Sequence, residues 1–273
     1  MNNHNIEKPQ HRNALRKFLG KEYFILKRKL VWYFGTDKYA QIRPDSDSDV
    51  PVIKHRSFLL RPLKDVDMIL QHNKITNLKL AIKEINGAII KPGEVFSVWK
   101  MVGNPTRSKG YLEGLVLHNG QILKGVGGGL CQLGNLLYWM FLHSPLTIKE
   151  RWRHGYDVFP DISRTIPFAC GATLSYNYVD LQVKNNTDQS FRINLWLDAQ
   201  YLNGELFSSE EQEYDYEVFE TDHLMKQQWW GGYTRHNKIW KKITHKRTAE
   251  ETLELITENH AIMMYNPLIE NNY

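Results

Sequence analysis

Between residues 12 and 34 the apolar positions Leu15, Phe18, Leu19, Tyr23, Leu26, Leu30 and Phe34 return at helical spacing. The other face carries Arg16, Lys17, Lys21, Lys27, Arg28 and Lys29. The pattern predicts a basic amphipathic helix, preceded by a polar, unstructured start over 1–11. PDSDSDVP at 44–51 breaks the apolar pattern and reads as an exposed loop. Leu78, Ala81, Ile82 and Ile85 share one face of a second predicted helix over 76–86, which Asn86-Gly87 stops with a left-handed cap. KPGE at 91–94 turns into a strand over 95–98. In LVLHNGQIL at 115–123, apolar runs flank Asn119-Gly120, a strong hairpin signal. CQLGNLLYWMFLH at 131–143 is almost continuously apolar and has the length of a buried helix, ended before Pro145.

Beyond that helix the spacing changes to alternation. Strands are predicted over 147–152, 172–177, 180–184 and 191–197, with a turn at Asn203-Gly204. Further hairpins begin at Tyr214, with Gly231-Gly232 as a turn. The order is helices, a hairpin, a central helix bearing Cys131, and then a mostly antiparallel β half. The fold class is therefore α+β and not a doubly wound parallel sheet. Three regions follow: a basic helical region and linker over 1–69, a central domain over 70–207, and a β-hairpin region over 208–273.

Composition adds little to this picture. With 42% hydrophobic and 24% charged residues the chain is an ordinary globular one, long enough for one large or two modest domains. A net charge of +5 is too small to identify a partner, although the basic helix over 12–34 suits peripheral contact with an anionic membrane. Two cysteines, Cys131 and Cys170, make no disulfide framework and point to a reducing compartment. No stretch nears the roughly 18 apolar residues of a spanning helix. The expected location is cytoplasmic, with peripheral membrane contact as its variant.

The candidate chemistry centres on GVGGGLCQLGN at 125–135. Cys131 stands in the first turn of the predicted helix, where unpaired N–H groups and the helix dipole favour thiolate. The same N–H groups, with the Gln132 amide, suit an oxyanion. Gly127, Gly128 and Gly129 either let a substrate backbone approach or form a tight turn; with Asn135 they are the substrate-binding candidates. No Gly-Lys-Ser/Thr follows, so a phosphate loop is disfavoured. His154, at the end of a predicted strand, is the candidate base. A cysteine on a helix N-terminus with a histidine on a following strand is the arrangement of papain-like hydrolases and transferases. Asp157, Asp161 and Asp180 are the candidates to orient the imidazole. The competing reading makes Cys131 a buried small hydrophobe and His154 an ordinary hydrogen-bonded residue.

Other features carry less. Cys131, His143, His154 and Cys170 lack any standard zinc spacing, so neither metal nor cofactor is expected. Trp229-Trp230 with Tyr233 reads as a stacking platform or as hairpin packing. KIWKKITHKR at 238–247 reads as a solvated strand face, and no nucleic-acid module accompanies it.

Three stretches together resemble the VanW family: KPGEVFSVWKMVG at 91–103, GVGGGLCQLGNLLYWMFLH at 125–143 and GATLSYNYVDLQVKNNTD at 171–188. They keep the family's order and spacing over about residues 70–205, and most resemble its short, vancomycin-resistance-associated form. The resemblance implies a bacterial protein of glycopeptide-resistance or envelope biology. Gly127 to Gly129, Cys131 and Gln132 match the family's central motif, and His154 falls where the family has a histidine. Two positions depart from it. Gly134 replaces a Ser or Thr, and Gly171 replaces an aspartate, leaving Asp157 as a substitute. Two functions follow from the combined reading. One is a Cys–His acyl transferase or amide hydrolase acting on a cell-wall-related peptide. The other is a non-catalytic accessory module that binds a wall precursor or a partner protein.

Overall fold

A computed structural model describes residues 13–43, 49–60, 67–118, 120–160 and 166–268. The expectations for 1–11, for most of the loop at 44–51, and for Asn119 and Asp161 lie outside the described residues. The chain divides into two compact units between Thr36 and Asp37.

In the first unit, α1 (Ala14–Phe34) is the predicted basic helix. Asn13 caps it, its side chain accepting the Arg16 N–H at 2.8 Å. None of its residues is buried. No described helix is long and apolar enough to cross a membrane.

The second unit opens with β1 (Lys38–Tyr39), β2 (Gln41–Ile42) and β3 (Val50–Phe58). Next come α2 (Met68–Lys83), β4 (Ala88–Ile90), β5 (Glu94–Ser97) and the short α3 (Val98–Val102). The predicted hairpin is β6 (Glu113–His118) and β7 (Gln121–Val126), and it leads directly into α4 (Cys131–Leu142). Strands then dominate: β8 (Thr147–Glu150), β9 (Tyr156–Asp157), β10 (Gln182–Lys184), β11 (Phe191–Leu197) and β12 (Tyr201–Ser208). The last three are β13 (Tyr214–Gln227), β14 (Tyr233–His245) and β15 (Glu251–Met263). The α+β class stands.

The strands form sheets in the orders β1-β5-β10-β8, β2-β4-β11-β12-β3 and β13-β14-β15-β9, beside the β6-β7 hairpin. Pairing is antiparallel except for β1 with β5 and β15 with β9. Leu133, Leu136, Leu137, Met140 and Phe141 of α4 are all at most 2% exposed. Burying that many large side chains on one short helix makes α4 the centre of the apolar core. Gly204 of β12 lets the helix approach, since a Cβ there would lie 2.6 Å from the Met140 sulfur.

The structure corrects three local expectations. α2 begins at Met68, not at 76: Asp67 caps it by accepting the Ile69 N–H, and Leu70 and Gln71 already face inward. The predicted strand over 172–177 is an irregular segment with a single bridge, Ser175 to Val179. Side chains take the place of a ladder there, because Asn135 accepts the Ala172 N–H and Arg151 donates to the Gly171 and Ala169 carbonyls. Asn203-Gly204 lies inside β12 and does not turn. The turn precedes it at Asp198, whose carboxylate accepts the N–H groups of Gln200 and Tyr201.

Asn77 of α2, fully buried, fastens the hairpin to the helix. It donates to the Leu112 and Gly128 carbonyls at 3.0 and 2.9 Å and accepts the Leu112 N–H at 2.8 Å. Asn77→Ala removes three hydrogen bonds and takes the partner from the Leu112 N–H and the Gly128 carbonyl, while the Leu112 carbonyl keeps the Gly127 N–H. It is expected to lower the free energy of unfolding by about 3 kcal/mol, measured by urea denaturation. A loss below about 0.5 kcal/mol would show that the hairpin is held by other means.

Candidate functional site

The glycine run is a packed turn. Gly127 and Gly129 have φ of +75° and +91°, a region L side chains rarely adopt. Gly128 has ordinary φ but crosses the backbone of β6, so a Cβ would lie 2.2 Å from the Gly114 carbonyl carbon. The three N–H groups donate to the carbonyls of Leu112, Gly125 and Leu115 at 2.9 to 3.0 Å. None of these N–H groups points at an open cleft.

Cys131 is the first residue of α4, after Leu130, which offers no capping side chain. The residue is partly exposed, but its thiol lies inside. The Leu174 N–H donates to its sulfur at 3.5 Å, and the S–H donates to the Leu174 carbonyl at 3.8 Å. Burial pushes the thiol pKa up, and hydrogen bonds from the backbone of Leu174 and of Cys131 itself only partly oppose that. Desolvation therefore outweighs the helix N-terminus, and the thiol form is favoured.

Gln132 points elsewhere. Its amide donates to Ser57 Oγ and the Phe58 carbonyl, tying α4 to β3. Asn135 holds the opposite segment, accepting the Ala172 N–H at 2.8 Å. A Cβ at Gly171 would lie 2.4 Å from Asn135 Oδ1, so Asn135 occupies the space a side chain at 171 needs. Gly134 permits the same contact, since its Cβ would come within 3.0 Å of the Ala172 carbonyl oxygen.

His154 follows β8 in a stretch without regular structure. Its Nε2 is buried with no hydrogen-bond partner among the described residues. Burial, and then the Arg153 guanidinium, lowers its pKa, so the imidazole is neutral at pH 7. No hydrogen bond joins it to Cys131, whose sulfur is bonded to Leu174. Asp157 is buried on β9, facing Arg235 Nη1 at 3.4 Å and the Tyr265 hydroxyl at 2.9 Å. Asp180 accepts from Ser97, Trp99, Leu181 and Gln182, locking β5 and α3 to β10. The structure thus gathers Cys131, Asn135 and the 171–174 segment, while Gln132 and Asp157 serve other contacts and His154 is buried without a hydrogen bond to the thiol. Among the described residues, no group of three or more His, Cys, Asp or Glu could hold a metal ion.

A site absent from the sequence reading lies at the other end of α4. A cavity of about 630 Å³ opens between that end, β8 and the sheet β13–β15. Tyr138, Phe141, Ile148, Tyr216 and Ile256 supply apolar and phenolic wall. Lys241 of β14 also lines it, only 6% exposed. Its ammonium donates to the Ser144 carbonyl at 2.7 Å, just past the end of α4, and lies 4.4 Å from the Tyr216 ring centroid. Glu254 is its cross-strand neighbour and lines the same cavity, but forms no ion pair with it among the described residues.

Burial lowers the Lys241 pKa to about 8, with Glu254 opposing that shift. Burial raises Tyr138 and Tyr216 to about 12, leaving neutral phenols. His143 is also lowered, by burial and by Lys241, despite its bond to the Trp139 carbonyl. The helix C-terminus carries roughly half a negative charge and Glu254 a full one, but Lys149 and Arg151 line the cavity with Lys241, so a positive excess faces it. Sequence reading placed this lysine on a solvated strand face; the signal for its burial is the alternation Arg235, Asn237, Ile239, Lys241, all inward.

A family model described as "VanW like protein" matches residues 73–207. The chain is 41% identical over 152 residues to the vancomycin B-type resistance protein VanW of Enterococcus faecalis, covering 56% of this chain and 55% of that one. It is 32% identical over 117 residues to the uncharacterized protein YoaR of Bacillus subtilis, covering 43% of this chain and 37% of that one. The matched part thus spans about half the length of the first relative and less of the second. No solved structure matches the chain.

The geometry at Cys131 makes a direct prediction. In a Cys170→Ser background, iodoacetamide should label Cys131 at least about 100-fold more slowly than a free thiol. The midpoint of labelling against pH should lie above the ordinary thiol value, and His154→Ala should not change it. A midpoint well below about 8.5 that disappears in His154→Ala would restore a coupled Cys–His pair.

Proposed function

Starting from a chain that belongs to the VanW family through residues 73–207, we propose that it is a non-catalytic binding module of glycopeptide-resistance and envelope biology. Its ligand is a peptide-bearing wall precursor with a free carboxylate. The observation that carries this reading is the Lys241 ammonium, nine-tenths buried beside a cavity of about 630 Å³ that Glu254 also lines, and with no carboxylate in ion-pair contact with it among the described residues. That volume lies within the usual range for small-ligand sites.

A buried cation facing a cavity is an unfinished interaction. Desolvation has already raised its energy, so an incoming carboxylate meets a partner that bulk water no longer screens. The half-charge of the α4 terminus fixes the ammonium in place without neutralising it. Phe141, Ile148 and Ile256 then receive the apolar part of the ligand, and the Tyr138 and Tyr216 rings border it. One wall comes from the family-matched region and the other from beyond it, so the reading rests on this chain's own residues.

The alternative, acyl transfer by Cys131, lacks geometric support. Its thiol is hydrogen-bonded to Leu174 and shifted toward the protonated form, the glycine N–H groups are bonded within the fold, and Gln132 is anchored to β3.

Isothermal titration with acetyl-dialanine bearing a free carboxylate, and with its amide, tests the proposal. The carboxylate should bind and the amide should not. Because Lys241 titrates near pH 8, affinity should hold below pH 7 and weaken by up to about tenfold per unit above pH 8. Lys241→Met should weaken binding at least about tenfold while leaving the fold intact by circular dichroism. Equal binding of acid and amide, binding of inorganic phosphate alone, or no loss in Lys241→Met would each overturn it.

A further inference from the structure

We infer that α1 is a membrane-surface helix, which lies along an anionic lipid interface and holds the second unit near it. The inference stands on α1 alone and is independent of the ligand assigned to the Lys241 cavity.

Leu15, Leu19, Tyr23, Leu26, Leu30 and Tyr33 are spaced by 4, 4, 3, 4 and 3 residues, so they form one stripe along the helix. All six are exposed, from 49% at Leu30 to 76% at Tyr33. Phe18 and Phe34 border the stripe and are exposed as well, whereas Phe24 and Val31 are exposed on the basic side. Contiguous apolar exposure on this scale marks a surface that another phase or partner covers.

Charge identifies the occupant. α1 carries Arg16, Lys17, Lys21, Lys27, Arg28 and Lys29 against the single acid Glu22, a net +5 from six cations and one anion. Lys17, Lys21 and Arg28 lie opposite the stripe, while Arg16, Lys27 and Lys29 flank it. Long basic side chains at the flanks can bury their stems in the acyl boundary and place their charges among the headgroups. Tyr23 and Tyr33 suit the same boundary, with apolar rings and polar tips. A second copy would set +5 against +5 along the same seam, which disfavours a paired helix. The helix is not apolar enough to span a bilayer. At 1.5 Å per residue its 21 residues extend about 30 Å, ample for a helix lying in the plane.

The test is co-sedimentation of the full chain with vesicles of phosphatidylcholine alone or with 30% phosphatidylglycerol. Binding to the anionic vesicles should be at least tenfold tighter than to the neutral ones, and 0.5 M salt should weaken it. A triple variant, Lys27→Gln with Arg28→Gln and Lys29→Gln, should bind at least tenfold more weakly. Leu19→Glu with Leu26→Glu should abolish binding, with the thermal unfolding of the second unit unchanged as the folding control. Equal binding to both vesicle types, or no binding to either, would overturn the inference. So would sedimentation equilibrium showing a concentration-dependent dimer that Leu19→Glu with Leu26→Glu dissolves while vesicle binding persists.

Discussion

The burial of α4 constrains everything around it. A helix whose Leu133, Leu136, Leu137, Met140 and Phe141 are almost fully enclosed cannot leave its ends to water. Its terminal N–H and C=O groups must find protein partners. At the N-terminal end, the turn is pinned by Asn77, Gln132 reaches β3, and Asn135 takes the Ala172 N–H. At the other end, Lys241 donates to the Ser144 carbonyl and the His143 ring meets the Trp139 carbonyl. The polar residues along this stretch make the contacts that hold an apolar helix in a folded interior.

That dual use explains what the sequence revealed and what it concealed. Periodicity exposed α1, the β6–β7 hairpin, α4, β11 and the Gly231-Gly232 turn, because each follows from local spacing and turn chemistry. It failed at 172–177, where the strand pattern is overridden by Arg151 and Asn135, contacts from elsewhere in the chain. It also failed at Asn203-Gly204. There glycine serves the approach of α4 to β12 and not a turn, a reason no local window contains.

The resemblance located the family motif, but the identity of a residue does not settle its environment. At Cys131 two effects of opposite sign compete, the helix N-terminus and burial, and only the packing shows that burial prevails. Gly171 is similar. Read alone it is a missing acid, yet Asn135 fills the space where a side chain at 171 would stand. The two positions form one structural unit, and that relation spans 37 residues, from 135 to 172.

Lys241 was hidden for a related reason. Charged residues on a strand are ordinarily read as its wet face, and β14 reverses this, turning Arg235, Asn237 and Lys241 inward. Their surroundings separate them. Arg235 faces the buried Asp157 carboxylate, and Asn237 donates to the Phe168 carbonyl and Glu220. Lys241 faces a carbonyl and a ring, with no ion pair to Glu254 among the described residues. Two of the three are thus completed by the fold itself. The third borders the cavity, and a carboxylate entering there would supply the same kind of partner that Asp157 already gives Arg235.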